Sequence, residues 1–241
     1  MSKPPKEKPL TSENKTALSR RGFLAGGIGA AAVVGIGGIG VLTHKNENIL
    51  RPPGGQNESN FIGLCIRCDR CRSSCPRNTI HVSGIEAGLI NLRTPGLDYR
   101  FGRITSGFEK LRSYSDPFEG LRAIEGEGFC DFCELCIKNC PTGALTTFDP
   151  NEEWIGLAVV IPELCIAFDN YGGCRKCVDY CAFDAITLDK DMCPVVAPEK
   201  CNGCGICENI CPTNSYRTFT GLSQRGINVI PQTEGRPSEN I

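Results

Sequence analysis

Two kinds of apolar pattern run along the chain. From Phe23 to Leu42, twenty residues pass without a charged or polar side chain. At about 1.5 Å per helical residue such a run reaches roughly 30 Å, enough to cross a bilayer core. Seven of the twenty are glycine, so the run is only moderately apolar. Beyond it the apolar positions come in short β-type runs: "TIHVSG" (79–84), "GALTTFD" (143–149) and "AITLD" (185–189). Two more, "LAVVIPELC" (157–165) and "PVVAPEKC" (194–201), end in Pro-Glu and then a cysteine. The repeated unit predicted is strand, loop, short helix, strand. The class is α+β with little regular secondary structure and little conventional core.

The charge balance divides the chain at the same place. Residues 1–43 hold six Lys/Arg against two Asp/Glu, whereas the remainder holds 20 against 25. Residues 1–18 are polar and lysine-rich and are expected to be disordered. A net charge of −1 over 241 residues gives no footprint for nucleic acid. The basic head reads as targeting. "SRRGFLA" (19–25) resembles the twin-arginine signal S-R-R-x-F-L, which exports proteins already folded. The exit of the apolar run lacks an A-x-A cleavage site, which favours an uncleaved anchor over a removed signal. Lys/Arg before the run keep the N-terminus inside and the body outside. Residues 1–43 are therefore read as a twin-arginine signal or anchor helix and 44–60 as a linker. Membrane contact runs through 23–42, and the body is periplasmic or on the outer face of the cytoplasmic membrane.

Cysteine usage changes the picture most. There are 17 cysteines and only two histidines, with no C-x2-C-H, so c-type haem, Rieske centres and histidine-bound zinc lack their ligands. Cys65, Cys68, Cys71 and Cys75 form one group, and Cys130, Cys133, Cys136 and Cys140 a second. Cys165, Cys174, Cys177 and Cys181 form a third, and Cys201, Cys204, Cys207 and Cys211 a fourth. The first, second and fourth read C-x2-C-x2-C-x3-C-P, the bacterial ferredoxin run. In the third, eight residues separate the first two cysteines. Three thiolates of such a run hold one [4Fe–4S] cluster, and the fourth, one helical turn on, ligates another. Four clusters in two ferredoxin-like modules related by pseudo-symmetry are expected over 61–220, with an insertion at 82–129 and a C-terminal tail at 221–241. The insertion reads either as a partner-docking face or as a surface cover. Structural zinc fits poorly, because it separates two C-x2-C pairs by a longer loop. Cys193 is left over and reads as a spare buried thiol rather than a ligand. The linkers of 54, 24 and 19 residues between groups leave sequential and nested pairing both open.

At "ILRPPGGQNESNFIGLCIRCDRC" (49–71) the sequence resembles the NapG/MauM family of ferredoxin-type proteins, as do the stretched third group and the twin-arginine head. These are electron carriers of periplasmic nitrate reduction and methylamine utilisation. The resemblance implies the fold of four-cluster β-subunits of molybdenum oxidoreductases, in which pairing is nested. Cys65, Cys68 and Cys71 would then share a cluster with Cys211, and Cys75 with Cys201, Cys204 and Cys207. Cys130, Cys133 and Cys136 would take Cys181, and Cys140 would join Cys165, Cys174 and Cys177. The function implied is electron relay between a membrane quinol oxidase and an exported, nitrate reductase-like oxidoreductase. A tightly bound β-subunit of another molybdenum oxidoreductase and a structural zinc module are the alternatives. No catalytic constellation or phosphate loop is evident, so an electron carrier and not an enzyme is expected.

Overall fold

A computed structural model describes residues 49–169, 173–213 and 225–231. The twin-arginine segment and the apolar run lie outside the described residues. Among the described residues, no helix is long and apolar enough to cross a membrane.

Among the described residues there are four sheets, each a two-stranded antiparallel ribbon. In the C-terminal half, β5 (Gly156–Val160) pairs with β8 (Ile227–Pro231), and β6 (Ile186–Leu188) pairs with β7 (Pro194–Val196). The order β5, loop, α5 (Lys176–Asp179), β6 is followed by β7, loop, α6 (Ile206–Asn209), β8. The strand–loop–helix–strand unit expected from the apolar runs therefore occurs twice here. Strand β8 falls inside the segment read as a C-terminal tail.

The N-terminal half is less regular. Helix α1 (Glu58–Leu64) starts at Asn57, whose side chain accepts from the Asn60 N–H. It is followed by α2 (Arg70–Ser73), then β1 (Ile80–Val82), which pairs with β2 (Pro95–Leu97) of the insertion. Strand β3 (Ile104–Ser106) pairs with β4 (Glu125–Gly126), and α3 (Pro117–Ala123) lies between them in sequence. Helix α4 (Leu135–Lys138) follows the second cysteine loop. The run 143–149 does not become a strand. Its one ladder-like contact is the Thr146 N–H donating to the Gly54 carbonyl at 3.0 Å.

The expectation of little conventional core is corrected by the insertion. Tyr99, Leu111, Leu121, Ile124 and Phe129 are each no more than 2% exposed and lie in one core with Phe132, Phe148, Ile155, Ile186, Ile206 and Ile227. The stretch 99–129 thus fills the space between the halves. Its apolar residues are dispersed among Gly and charged residues, which hides their burial from a reading of local pattern. Arg77 pins it by donating to the carbonyls of Ile124 and Arg122 and by pairing with Asp131 at 2.7 Å. Arg225, just before β8, donates to the carbonyls of Glu208, Asn209 and Arg100.

Candidate metal centres

The loops holding the cysteines share a backbone device. In the first, Arg67 and Asp69 have φ of 56° and 61°; in the second, Phe132 and Glu134 have 54° and 60°; in the fourth, Gly203 and Gly205 have 74° and 85°. Left-handed residues thus flank the middle cysteine on both sides. Alternating right- and left-handed residues turns successive N–H groups towards one concavity, a cradle suited to anionic sulfur. The stretched third loop keeps Gly173 at φ 98° but has Arg175 at −131° on the other side of Cys174. Leaving the first three loops, the residue three beyond the fourth cysteine is again left-handed: Asn78, Gly143 and Asp184.

Four cavities of nearly equal size result. Site I is lined by Cys65, Cys68, Cys71 and Cys140. Site II is lined by Cys75, Cys130, Cys133 and Cys136. Site III is lined by Cys165, Cys174, Cys177 and Cys211, and site IV by Cys181, Cys201, Cys204 and Cys207. All sixteen sequence-predicted cysteines are accounted for, four to a cavity. Each cavity takes three from one run and the last cysteine of another.

The pairing is sequential, and the nested scheme implied by the resemblance is corrected. Cys75 faces Cys130, Cys133 and Cys136, not Cys201, Cys204 and Cys207. Cys140 faces Cys65, Cys68 and Cys71, not the third run. Cys181 faces the fourth run, and Cys211 the third. The physical cause is the contact of neighbouring runs. Helix α2 packs against α4, and α5 against α6, so the cysteine ending each helix reaches the adjacent loop. The Ser74 hydroxyl donates to the Leu135 carbonyl at 3.4 Å across the first of these contacts.

Chemistry and burial fit an iron–sulfur occupant. Every cavity offers four soft sulfur donors. Among the described residues, no three His, Cys, Asp or Glu side chains converge as a single metal ion requires. Burial pushes the Cys71 and Cys133 thiols up to about 11 and those of Cys136 and Cys177 up to about 12. Such thiols hold their protons at neutral pH until a metal displaces them. Cys140 differs. Burial raises it, but the Leu145, Thr142 and Ala144 N–H groups and the Thr142 hydroxyl outweigh burial and bring it below the usual thiol value.

The sites form a series. Sites I and II share the α2–α4 contact, and sites III and IV the α5–α6 contact. The halves meet where the Cys130 N–H donates to the Cys204 carbonyl at 2.8 Å. The order is therefore I, II, IV, III. Cys201, Cys204, Cys207 and Cys181 of site IV are all buried, whereas Cys68 of site I is exposed. Tyr99 closes the junction, with its hydroxyl donating to the Gly203 carbonyl at 2.7 Å. Burial, with Cys130 and Cys204 nearby, holds this phenol well above its usual range.

Residues 62–79 and 130–144 each match a 4Fe-4S binding domain, and 172–215 match a 4Fe-4S dicluster domain. The chain is 31% identical to the methylamine utilization ferredoxin-type protein MauM of Methylorubrum extorquens, over 90% of this chain and 91% of that one. The chain belongs to the MauM/NapG family of ferredoxin-type proteins. NapG of Escherichia coli is 30% identical over 92% of this chain and 90% of its own, and MauM of Methylophilus methylotrophus 30% over 86% and 83%. As a member of this family the chain is an iron–sulfur electron-transfer protein. The dicluster match takes in Cys174, Cys177 and Cys181 of the third run together with the whole fourth run, in keeping with their sequential pairing.

Sequence reasoning missed several residues around the sulfurs. Thr142 and Thr213 set hydroxyls 3.8 and 3.4 Å from the sulfurs of Cys140 and Cys211, and Thr79 lies 3.5 Å from Cys75. The repeated "CPT" after the second and fourth runs was the available signal for two of them. The Asp131 carboxylate takes Arg77 on one oxygen and the Cys133 N–H on the other. Cys193 is buried and lines none of the four cavities described; its sulfur lies 3.7 Å from the Ala167 carbonyl.

Proposed function

We propose that the protein carries four [4Fe–4S] clusters, one in each cysteine-lined cavity, and relays electrons along the series I, II, IV, III. The observation that carries this reading is the contact between the Cys130 and Cys204 loops, which joins two two-site halves into one path. Clusters bound there would supply reversible one-electron chemistry at potentials set by hydrogen bonds to sulfur, charge and burial. The chain's own groups supply those settings. The Ala158 and Ala185 N–H groups donate to the sulfurs of Cys201 and Cys181 at 3.4 and 3.3 Å, and the apolar core excludes water from site IV. The relay would run between a membrane quinol oxidase and an exported, nitrate reductase-like oxidoreductase. Export through the twin-arginine motif suits a protein loaded with clusters before it leaves the cytoplasm.

Anaerobically purified protein should hold about sixteen irons, four per cubane, and little zinc. Zinc in comparable amount with little iron would defeat the proposal. For export, Arg20→Lys with Arg21→Lys should leave the loaded protein in the cytoplasm; normal export of that variant would refute the routing.

A further inference from the structure

The two ends of the series differ in charge. Residues 61–93 carry five arginines against Asp69 and Glu86; Arg77 lines site II and is paired with Asp131, which leaves a balance of +2 around site I. Residues 163–200, around site III, carry four basic residues against seven acidic ones, a balance of −3. On a body whose balance beyond residue 43 is −5, the site I end is a local basic region.

That region is also apolar where it meets solvent. Ile66 is 63% exposed, Leu89 56% and Ile90 55%. Ile66 lines the site I cavity together with the exposed Cys68. The loop carrying Leu89 and Ile90 is fastened to the same ligand loop. The Arg67 guanidinium donates to the carbonyls of Ile90 and Leu92 at 2.8 and 2.9 Å, and Arg93 pairs with Asp69 at 3.0 Å. Arg70 and Arg72 stand exposed on α2 beside it. An apolar centre with a charged rim is the anatomy of a docking face. Here the centre lies over the most accessible cysteine of the series.

We propose that this face, Ile66, Leu89 and Ile90 rimmed by Arg70, Arg72 and Arg93, docks a redox protein that presents carboxylates around its own redox centre, with electrons crossing beside Cys68. The partner's class follows from charge complementarity, because an arginine rim steers an acidic surface and repels a basic one. A protein partner is favoured over a lipid surface, since the face surrounds a cysteine of the terminal site and a lipid has no redox centre. The inference rests on the four-cluster reading above.

The test uses the full, cluster-loaded chain and a small acidic flavodoxin as probe. Reduction of the protein by flavodoxin hydroquinone is followed by stopped flow at several salt concentrations. Binding of oxidised flavodoxin is measured separately by calorimetry. Arg70→Glu with Arg72→Glu should slow reduction at low salt by about tenfold or more, weaken binding, and reverse the salt dependence. Leu89→Asp with Ile90→Asp should also weaken binding. Lys190→Glu with Lys200→Glu, at the other end, should leave both measurements near those of the unaltered protein. Equal effects from the two ends, or none from the arginine pair, would overturn the proposal. So would arginine-dependent capture by phosphatidylserine vesicles with flavodoxin reduction unchanged. Iron content and visible absorption of each variant report cluster loading on their own, so failure of the four-cluster reading is distinguishable from failure of the docking face.

Discussion

Single residues decide which donors meet. Cys75 is the clearest, because its own run lies on one side and the loop of Cys130, Cys133 and Cys136 on the other. Cys75→Ser should disturb the occupant of site II, with loss of up to about four irons, and leave the signals of the other three sites in place. Electron paramagnetic resonance of the reduced variant reads this directly, and an effect confined to the site of Cys65, Cys68 and Cys71 would sink it. Gly205 is a second decisive position. Its φ is 85°, and a Cβ there would meet the Tyr99 ring at 2.2 Å. Gly205→Ala should therefore cost about 3 kcal/mol from backbone strain and overpacking together. Gly143 is equally left-handed at φ 68° but has open space where a Cβ would go. Gly143→Ala should cost only about 1 kcal/mol, so paired thermal melts separate crowding from strain. At this scale the cysteines were legible because their chemistry demands a fixed spacing. Tyr99 was not, because its partners Gly203 and Gly205 lie more than a hundred residues away in sequence.

The elements are short because the loops, not the ladders, set the geometry. Helices α2, α4, α5 and α6 are four residues each, one turn, enough to carry the last cysteine across to the neighbouring loop. Strands β1, β5, β6 and β7 were legible from their β-branched runs, and β5 is buried along Gly156, Leu157 and Ala158. The run 143–149 has the same composition but no partner strand, since β1 pairs with β2 of the insertion. Composition reports strand propensity; whether a partner is present is a long-range fact. Arg77 shows how the elements are held. It stacks on Phe129 at 4.6 Å, caps the carbonyls that end α3, and pairs with Asp131, which holds the Cys133 N–H. Both charges are largely buried. Arg77→Ala should cost roughly 3–5 kcal/mol by stranding Asp131, and Arg77→Lys should recover little, since a lysine cannot span the same fork of acceptors. Thermal melts with hydrogen exchange at 122–126 check this, and unchanged protection there would remove Arg77 from the account.

For the molecule as a whole, two kinds of cohesion coexist. The core of Tyr99, Leu111, Leu121, Ile124 and Phe129 is built from the chain's own side chains, whereas the ligand loops surround cavities. Chelation of iron under reducing conditions should therefore release amide protection in 65–71 and 174–181 before that of Leu121–Ile124. Simultaneous loss everywhere would show that the metal organises the core as well. The overall scheme of two-site halves was partly legible. The four runs fixed the number of donor sets, but their order depended on which helices touch, and family resemblance pointed to the other pairing. That pairing has a consequence in time. A ribosome delivers the chain from residue 1 onward, and folding units form as they emerge. With neighbouring runs closing on each other, the donors of sites I and II are complete once Cys140 has been made. A nested arrangement would have left the first run waiting for Cys211, seventy-one residues later. The first half can thus receive its metal while the second is still being synthesised, and its thiols spend the shortest interval exposed to oxidation or to the wrong partner.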